Sequence, residues 1–152
     1  MSTADEDHRW LLAAIEESRK CPPSTTAYSV GAVIVDADGH ELARGYSRET
    51  DDRVHAEESA LAGLTGIDLR RATVYTSLEP CSTRRSRPRT CTELIIDAQV
   101  HRVVFALREP PAFVAGHGAD LLQQAGVEVT ELEDLAALVW EVNEHILGPP
   151  VG

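Results

Sequence analysis

Apolar and polar positions alternate along this chain in two rhythms. Trp10, Leu11, Ala14, Ile15 and Ser18 recur at three- and four-residue spacing and predict a helix over about residues 5–20, ended by Cys21-Pro22-Pro23 because proline cannot continue the hydrogen-bond ladder. The apolar run Tyr28 to Val35 reads as a buried strand, Asp36-Ala37-Asp38-Gly39 as a turn, and Glu41 to Tyr46 as the returning strand of a hairpin. A helix is expected from His55 to about Leu64, with Gly63 and Gly66 helping it end. Ala72 to Ser77 is a third strand, which delivers Leu78-Glu79-Pro80-Cys81 to a sheet edge. A helix over Cys91–Ala98, a strand over Arg102–Leu107, a helix over Ala119–Ala125 and a short strand over Val127–Thr130 then alternate as β-α-β units do. Leu132 to Ile146 reads as one final amphipathic helix. The fold class that follows is α/β: a mixed five-stranded sheet between helical layers, three layers in all. The site of such a sheet lies at the carboxyl ends of the parallel strands, beside helix N-termini.

Composition narrows the function. With 152 residues, no internal repeat and no linker, the expectation is a single domain over 1–152. A net charge of −11 argues against a nucleic-acid partner, which needs a broad cationic footprint. The first residues are polar and acidic, and no apolar run approaches membrane length, so no membrane is expected and the expected compartment is the cytoplasm. Three cysteines, an odd number without a secretory leader, point to reduced thiols rather than a disulfide framework.

The chemistry is concentrated in His55-Ala56-Glu57, Pro80-Cys81 and Cys91. One His and two Cys thiolates can hold Zn²⁺ and leave its fourth position open, which a hydrolytic site needs and a structural site lacks. Glu57, two residues after a ligand, is placed to shuttle protons. Nucleobase deaminases carry H-x-E followed by P-C-x-x-C; here nine residues separate the cysteines. The bland alternative is a pair of inert core thiols and a helix-capping histidine. Arg84, Arg85, Arg87 and Arg89 crowd the segment between the cysteines and read either as a solvated basic loop or as a cationic lip for one anionic small molecule. Cys21 reads as a spare thiol, and His117 as a shaper of a tight loop.

With these residues in place the chain resembles the cytidine deaminase-like superfamily, and within it the deaminase domain of the bifunctional riboflavin-biosynthesis enzymes. The resemblance rests on Val30-Gly31-Ala32-Val33-Ile34-Val35, His55-Ala56-Glu57, Ser77-Leu78-Glu79-Pro80-Cys81-Ser82, Cys91-Thr92-Glu93-Leu94-Ile95-Ile96 and Val114-Ala115-Gly116-His117-Gly118. It implies a Zn²⁺ cofactor on His55, Cys81 and Cys91, with Glu57 catalytic. It also implies contacts to a heterocycle from the backbone at Ser77 and near Ala56. Where the family has substrate-binding histidines this chain has Arg48 and Thr83, and where it has Pro-Asn-Pro this chain has Ala27-Tyr28-Ser29. The implied function is hydrolytic removal of the exocyclic amine of an aminopyrimidine-type heterocycle, phosphorylated as in the diaminohydroxyphosphoribosylaminopyrimidine of riboflavin biosynthesis or in a related nucleotide. A cytosine-, cytidine- or guanine-type deaminase and a catalytically silent zinc-binding interaction protein stay open as alternatives. No reductase fits in 152 residues, so a free-standing deaminase is expected. Family resemblance and the apolar stripe of the last helix suggest a homodimer.

Overall fold

The computed structural model describes residues 3–82, 84, 88–108 and 117–148. Its elements are α1 (Thr3–Ser18), β1 (Gly31–Val35), β2 (Glu41–Tyr46), α2 (Ala56–Ala62), β3 (Thr73–Leu78), α3 (Cys91–Asp97), β4 (Arg102–Leu107), α4 (Gly118–Gln124), β5 (Glu128–Glu131), a 3-10 turn (Glu133–Leu135), α5 (Ala136–Val142) and α6 (Glu144–Leu147). The sheet order is β2-β1-β3-β4-β5. β1 is antiparallel to both neighbours, whereas β3, β4 and β5 run parallel. α1 and α5 cover one face; α2, α3 and α4 cover the other. The mixed, helix-covered sheet is the one the hydrophobic pattern predicts.

Burial explains the strand sequences. All five residues of β1 are buried, as expected for a strand covered on both faces, while edge strand β2 is mostly only partly covered, with Glu41 and Arg44 exposed. Val33 pairs with Tyr75 and Tyr75 with Val104, and this row faces α1, where the Tyr75 hydroxyl donates to Asp7 Oδ1 at 2.8 Å. Arg102, at the start of β4, donates to the same carboxylate. On the other face Gly45 lets α2 approach: a Cβ there would stand 2.6 Å from the Ala56 carbonyl oxygen. That contact seats the first turn of α2 directly on the hairpin.

The C-terminal segment departs from expectation. Instead of one helix over Leu132–Ile146, α5 stops and α6 begins around Asn143, which is fully buried. Its amide accepts from Ser29 N at 2.7 Å and donates to Ser29 O at 3.1 Å, serving as a strand partner for the residues ahead of β1. A helix can break when a side chain satisfies distant backbone in this way. The apolar stripe also has its cover within the chain. Leu135 and Val139 are buried, Leu132, Leu138 and Val142 pack on the core, and α5 lies on β4 and α1. The helix expected to reach Leu64 ends earlier, at Ala62, with Gly63 as its C-cap. Among the described residues no helix is long and apolar enough to cross a membrane.

Candidate active site

Topology gathers the chemistry at one edge of the sheet. β3 ends there and leads into Glu79-Pro80-Cys81. Because β1 is antiparallel to β2 and β3, its start and the end of β2 lie at the same edge, Gly31 facing Tyr46 and donating its N–H to Ser77 Oγ at 3.1 Å. α2 and α3 begin there as well, so the N-termini of both helices meet in one corner.

Each candidate ligand is fixed by local backbone chemistry. His55 is the N-cap of α2, extended at φ −90° and ψ 160°, and its N–H is caught by Glu58 Oε1 at 3.2 Å. Cys91 is the first residue of α3, whose start is set by a capping box: Thr90 Oγ1 accepts from Glu93 N, and Glu93 Oε1 accepts from Thr90 N, both at 3.2 Å. Cys81 hangs on the segment after β3. Its carbonyl accepts from Thr92 N at 3.2 Å and Thr92 Oγ1 at 2.8 Å, and its sulfur accepts from Cys91 N at 3.2 Å. Gly118 completes the corner from α4, since a Cβ there would lie 2.0 Å from Pro80 O.

These placements bring the three donors together. His55 Nδ1 lies 3.3 Å from Cys91 Sγ and 3.6 Å from Cys81 Sγ, and the three donor atoms fall within 4.8 Å of one another. With Zn–S and Zn–N bonds of ordinary length, a tetrahedral site has N···S edges of about 3.5 Å, so the donors fit a zinc ion by type and by spacing. All three cysteines are free. The Cys91 thiol, hydrogen-bonded to Cys81, holds Cys81 down at about 4, and His55 acts in the same direction. Cys91 is itself raised by that hydrogen bond and by burial. Glu57, in the first turn of α2, is 4% exposed. Burial pushes its carboxyl up to about 7, the Cys81 thiolate adds to the rise, and His55 and Arg84 oppose it. It is not one of the three gathered donors, and its proton is therefore available for chemistry.

The other candidates separate. Ala56 is buried between His55 and Glu57. The Ser77 hydroxyl is occupied in holding β1. Arg48, at φ 63°, donates to Pro22 O at 2.7 Å, Tyr28 O at 3.0 Å and Ser29 Oγ at 3.3 Å, while its buried Nε finds no hydrogen-bond partner among the described residues. Its guanidinium thus braces the segment before β1. Arg84 is turned inward, with a side chain 3% exposed, and pairs with Glu58; Arg89 pairs with Asp97. Arg84 therefore does not form an outward lip, whereas the Arg89 side chain stays exposed beside the site. Thr83, Arg85 and Arg87 lie outside the described residues. Cys21 is remote from the thiol pair and donates to Val30 O at 3.5 Å. His117 donates its N–H to Ser82 Oγ at 3.0 Å, linking two loops of this edge.

Sequence reading passed over Glu58 and gave the Thr92 and Glu79 side chains and Gly118 no role beyond their places in the motifs. Glu58 and Thr90-x-x-Glu93 carried a visible signal, a carboxylate three residues after a capping position. Glu79 did not. It is buried, and its Oε2 accepts from Ala119 N at 2.9 Å, anchoring α4 to the end of β3 across forty positions of sequence.

The model of the cytidine and deoxycytidylate deaminase zinc-binding region matches residues 4–107. The diaminohydroxyphosphoribosylamino-pyrimidine deaminase of Schizosaccharomyces pombe is 40% identical over 126 residues, 80% of this chain and 31% of that protein. The structure of the diaminohydroxyphosphoribosylaminopyrimidine deaminase/5-amino-6-(5-phosphoribosylamino)uracil reductase of Thermotoga maritima superposes with a TM-score of 0.84 at 32% identity, covering 96% of this chain and 41% of that one. An Aspergillus oryzae Rib2 deaminase in complex with DARIPP shares the fold, with a TM-score of 0.80 at 22% identity over 94% of this chain and 91% of its own. The chain thus spans about a third of the length of the curated relative. With the donor set and the matched region in agreement, the chain belongs to the zinc-binding cytidine and deoxycytidylate deaminase family.

Proposed function

We propose that this chain is a single deaminase domain that hydrolyses the exocyclic amine of an aminopyrimidine carrying a ribosyl phosphate, or of a closely related nucleotide. The observation that carries the reaction class is Glu57, a buried carboxyl beside the His55, Cys81 and Cys91 donors and not one of them. A purely structural zinc site has no use for such a group. The substrate class is supported by the relatives named for that pyrimidine.

Zinc held by His55, Cys81 and Cys91 supplies a Lewis acid that makes water nucleophilic near neutral pH. The Glu57 carboxylate takes a proton from the attacking water and hands it to the ring nitrogen as the new C–O bond forms. A second proton, passed by the same carboxyl to the amine, lets the C–N bond break. Ammonia leaves and the ring carbon becomes a carbonyl, so one water is consumed for each amine lost. Burial raises the Glu57 carboxyl toward neutrality, and a carboxyl so poised accepts and returns a proton more readily than a strong acid does. To the backbone at Ser77 to Glu79, at the end of β3, and to the amide near Ala56 falls the role of orienting the heterocycle, as the family resemblance implies.

A small-molecule substrate rather than nucleic acid accords with the −11 charge. Self-association rests on the family resemblance alone, because the stripe that suggested it is covered within the chain.

The test is ammonia release from zinc-loaded protein, followed on the diaminopyrimidine ribosyl phosphate, on its dephosphorylated form, and on cytidine, deoxycytidylate and guanine. Turnover of the first, with at least tenfold preference over its dephosphorylated form, is the expected result; about 1.4 kcal/mol of discrimination is within reach of one charge-assisted contact. Equal or better turnover of cytidine or guanine would overturn the substrate assignment and leave the reaction class standing.

A further inference from the structure

We propose that Arg84 is a positioning residue for the zinc centre, bracing the segments that carry all three ligands, and not a contact for the substrate. Its side chain is 3% exposed and, among the described residues, its guanidinium donates to three oxygens: Arg53 O at 2.6 Å, Glu58 Oε1 at 2.8 Å and Arg89 O at 3.4 Å. Their places in the chain are what matter. Arg53 lies two residues before His55 and Glu58 three residues after it. Arg89 lies two residues before Cys91, and Arg84 itself follows Cys81 by three. One planar fork therefore ties together the flanks of every donor.

The link to His55 is tighter still. The Glu58 oxygen that receives the guanidinium also accepts the His55 N–H at 3.2 Å. Arg84 thus holds the carboxylate that holds the backbone of the ligand, while its bond to Arg53 O fixes the chain just ahead of the same residue. A planar guanidinium with five donors can span three acceptors in different directions, whereas an ammonium offers its donors from a single point. Partners that orient metal ligands in this way commonly govern metal affinity by about 10- to 100-fold. A buried cation also suits a pocket that gathers two thiols and the Glu57 carboxyl.

This inference rests on the zinc site and not on the identity of the heterocycle, and its readout is metal. Zinc-loaded wild type, Arg84→Met, Arg84→Lys and Glu58→Gln would be mixed with an excess of a chromogenic zinc chelator and release followed over time, alongside the absorption spectra of the cobalt-substituted proteins and thermal melts of the metal-free ones. Arg84→Met is expected to release zinc at least about tenfold faster, with an altered cobalt spectrum. Arg84→Lys recovers only a minor part of the loss. Glu58→Gln falls between, since it keeps an oxygen for the His55 N–H and loses the ion pair. The double variant should release no faster than Arg84→Met alone, because the two residues act in one chain of contacts.

Two results would overturn the proposal. If the variants melt earlier in the metal-free state but release zinc at the wild-type rate, Arg84 only supports the fold. If release and spectrum are unchanged while KM rises for a phosphorylated substrate, Arg84 reads the substrate. Should Arg84→Met fail to fold, wild-type release from both Arg84→Lys and Glu58→Gln is equally decisive against it. A chain that deaminates none of the compounds tested still gives the metal readout.

Discussion

Two largely buried arginine–carboxylate pairs lie at opposite edges of the sheet, and they differ in what is attached to them. Arg102 meets Asp7 with side chains 12% and 5% exposed, and Tyr75 shares the same carboxylate. That cluster joins α1 to β3 and β4, with no candidate ligand near in sequence. Arg84 meets Glu58 with side chains 3% and 25% exposed, and the partners of Arg84 among the described residues flank the zinc donors. The interactions are alike in chemistry. The first should govern the stability of the whole molecule, the second the hold on metal, so attachment rather than interaction type sets the function of a buried charge.

Breaking the zinc corner outright gives the largest effect. Cys91→Ala should reduce bound zinc and turnover to the detection limit, as read by metal analysis of the purified protein, and should lower the melting temperature because the ligand also opens α3. A variant that keeps stoichiometric zinc would show that another residue completes the site. Next comes Glu57→Gln. Turnover should fall by roughly 10²- to 10⁴-fold with zinc content unchanged, which separates the proton carrier from the metal holders.

The comparison itself is sharpened by Asp7→Ala. Removing the carboxylate leaves the Tyr75 hydroxyl without its acceptor and the Arg102 guanidinium with Glu128 and Thr130 only, and should destabilise the fold by roughly 2 kcal/mol. Denaturant titration reads this directly, and zinc release from the folded fraction should stay at the wild-type rate. Accelerated release would erase the distinction between the two clusters.

The smallest effect belongs to His8, near the same α1 face, whose ring lies 2.7 Å from Asp134 Oδ2 on the surface. A hydrogen bond with the Ala4 carbonyl and then the Asp134 carboxylate raise its pKa. A raised value in the folded state means the stabilisation is in place below the ordinary histidine pKa and fades as pH rises through the folded one. His8→Ala should therefore cost a little stability at mildly acidic pH and progressively less as pH rises, a trend readable from melts over a pH series. A constant difference across that range would assign the effect to packing.

Legibility followed the range over which each residue acts. β2 and β4 occupy Glu41–Tyr46 and Arg102–Leu107, as their apolar runs and bounding turns predict, and His55 and Cys91 stand at helix starts because capping chemistry is written within four residues. The donor trio was likewise readable, since its residue types and order constrain the chemistry strongly. Arg84 and Arg48 were visible only as charges. Which acceptors their long side chains reach depends on loops that no periodicity encodes, and both turn back onto carbonyls of their own protein. Asn143 was invisible: a polar residue inside an amphipathic pattern looks solvent-facing until the Ser29 backbone, 114 positions away, is seen to need it.

That bond has a consequence in time as well as in space. Ser29 N and O, and through His145 the Ala27 carbonyl, are satisfied from residues more than a hundred positions later. During synthesis the stretch ahead of β1 emerges early and must wait, its polar groups served by water, until Asn143 has left the ribosome. The zinc-binding sequence through Cys91 is complete well before then. The metal corner can therefore assemble on a nascent chain whose neighbouring wall at the same sheet edge is still open, and that wall settles only when the last helices close over it.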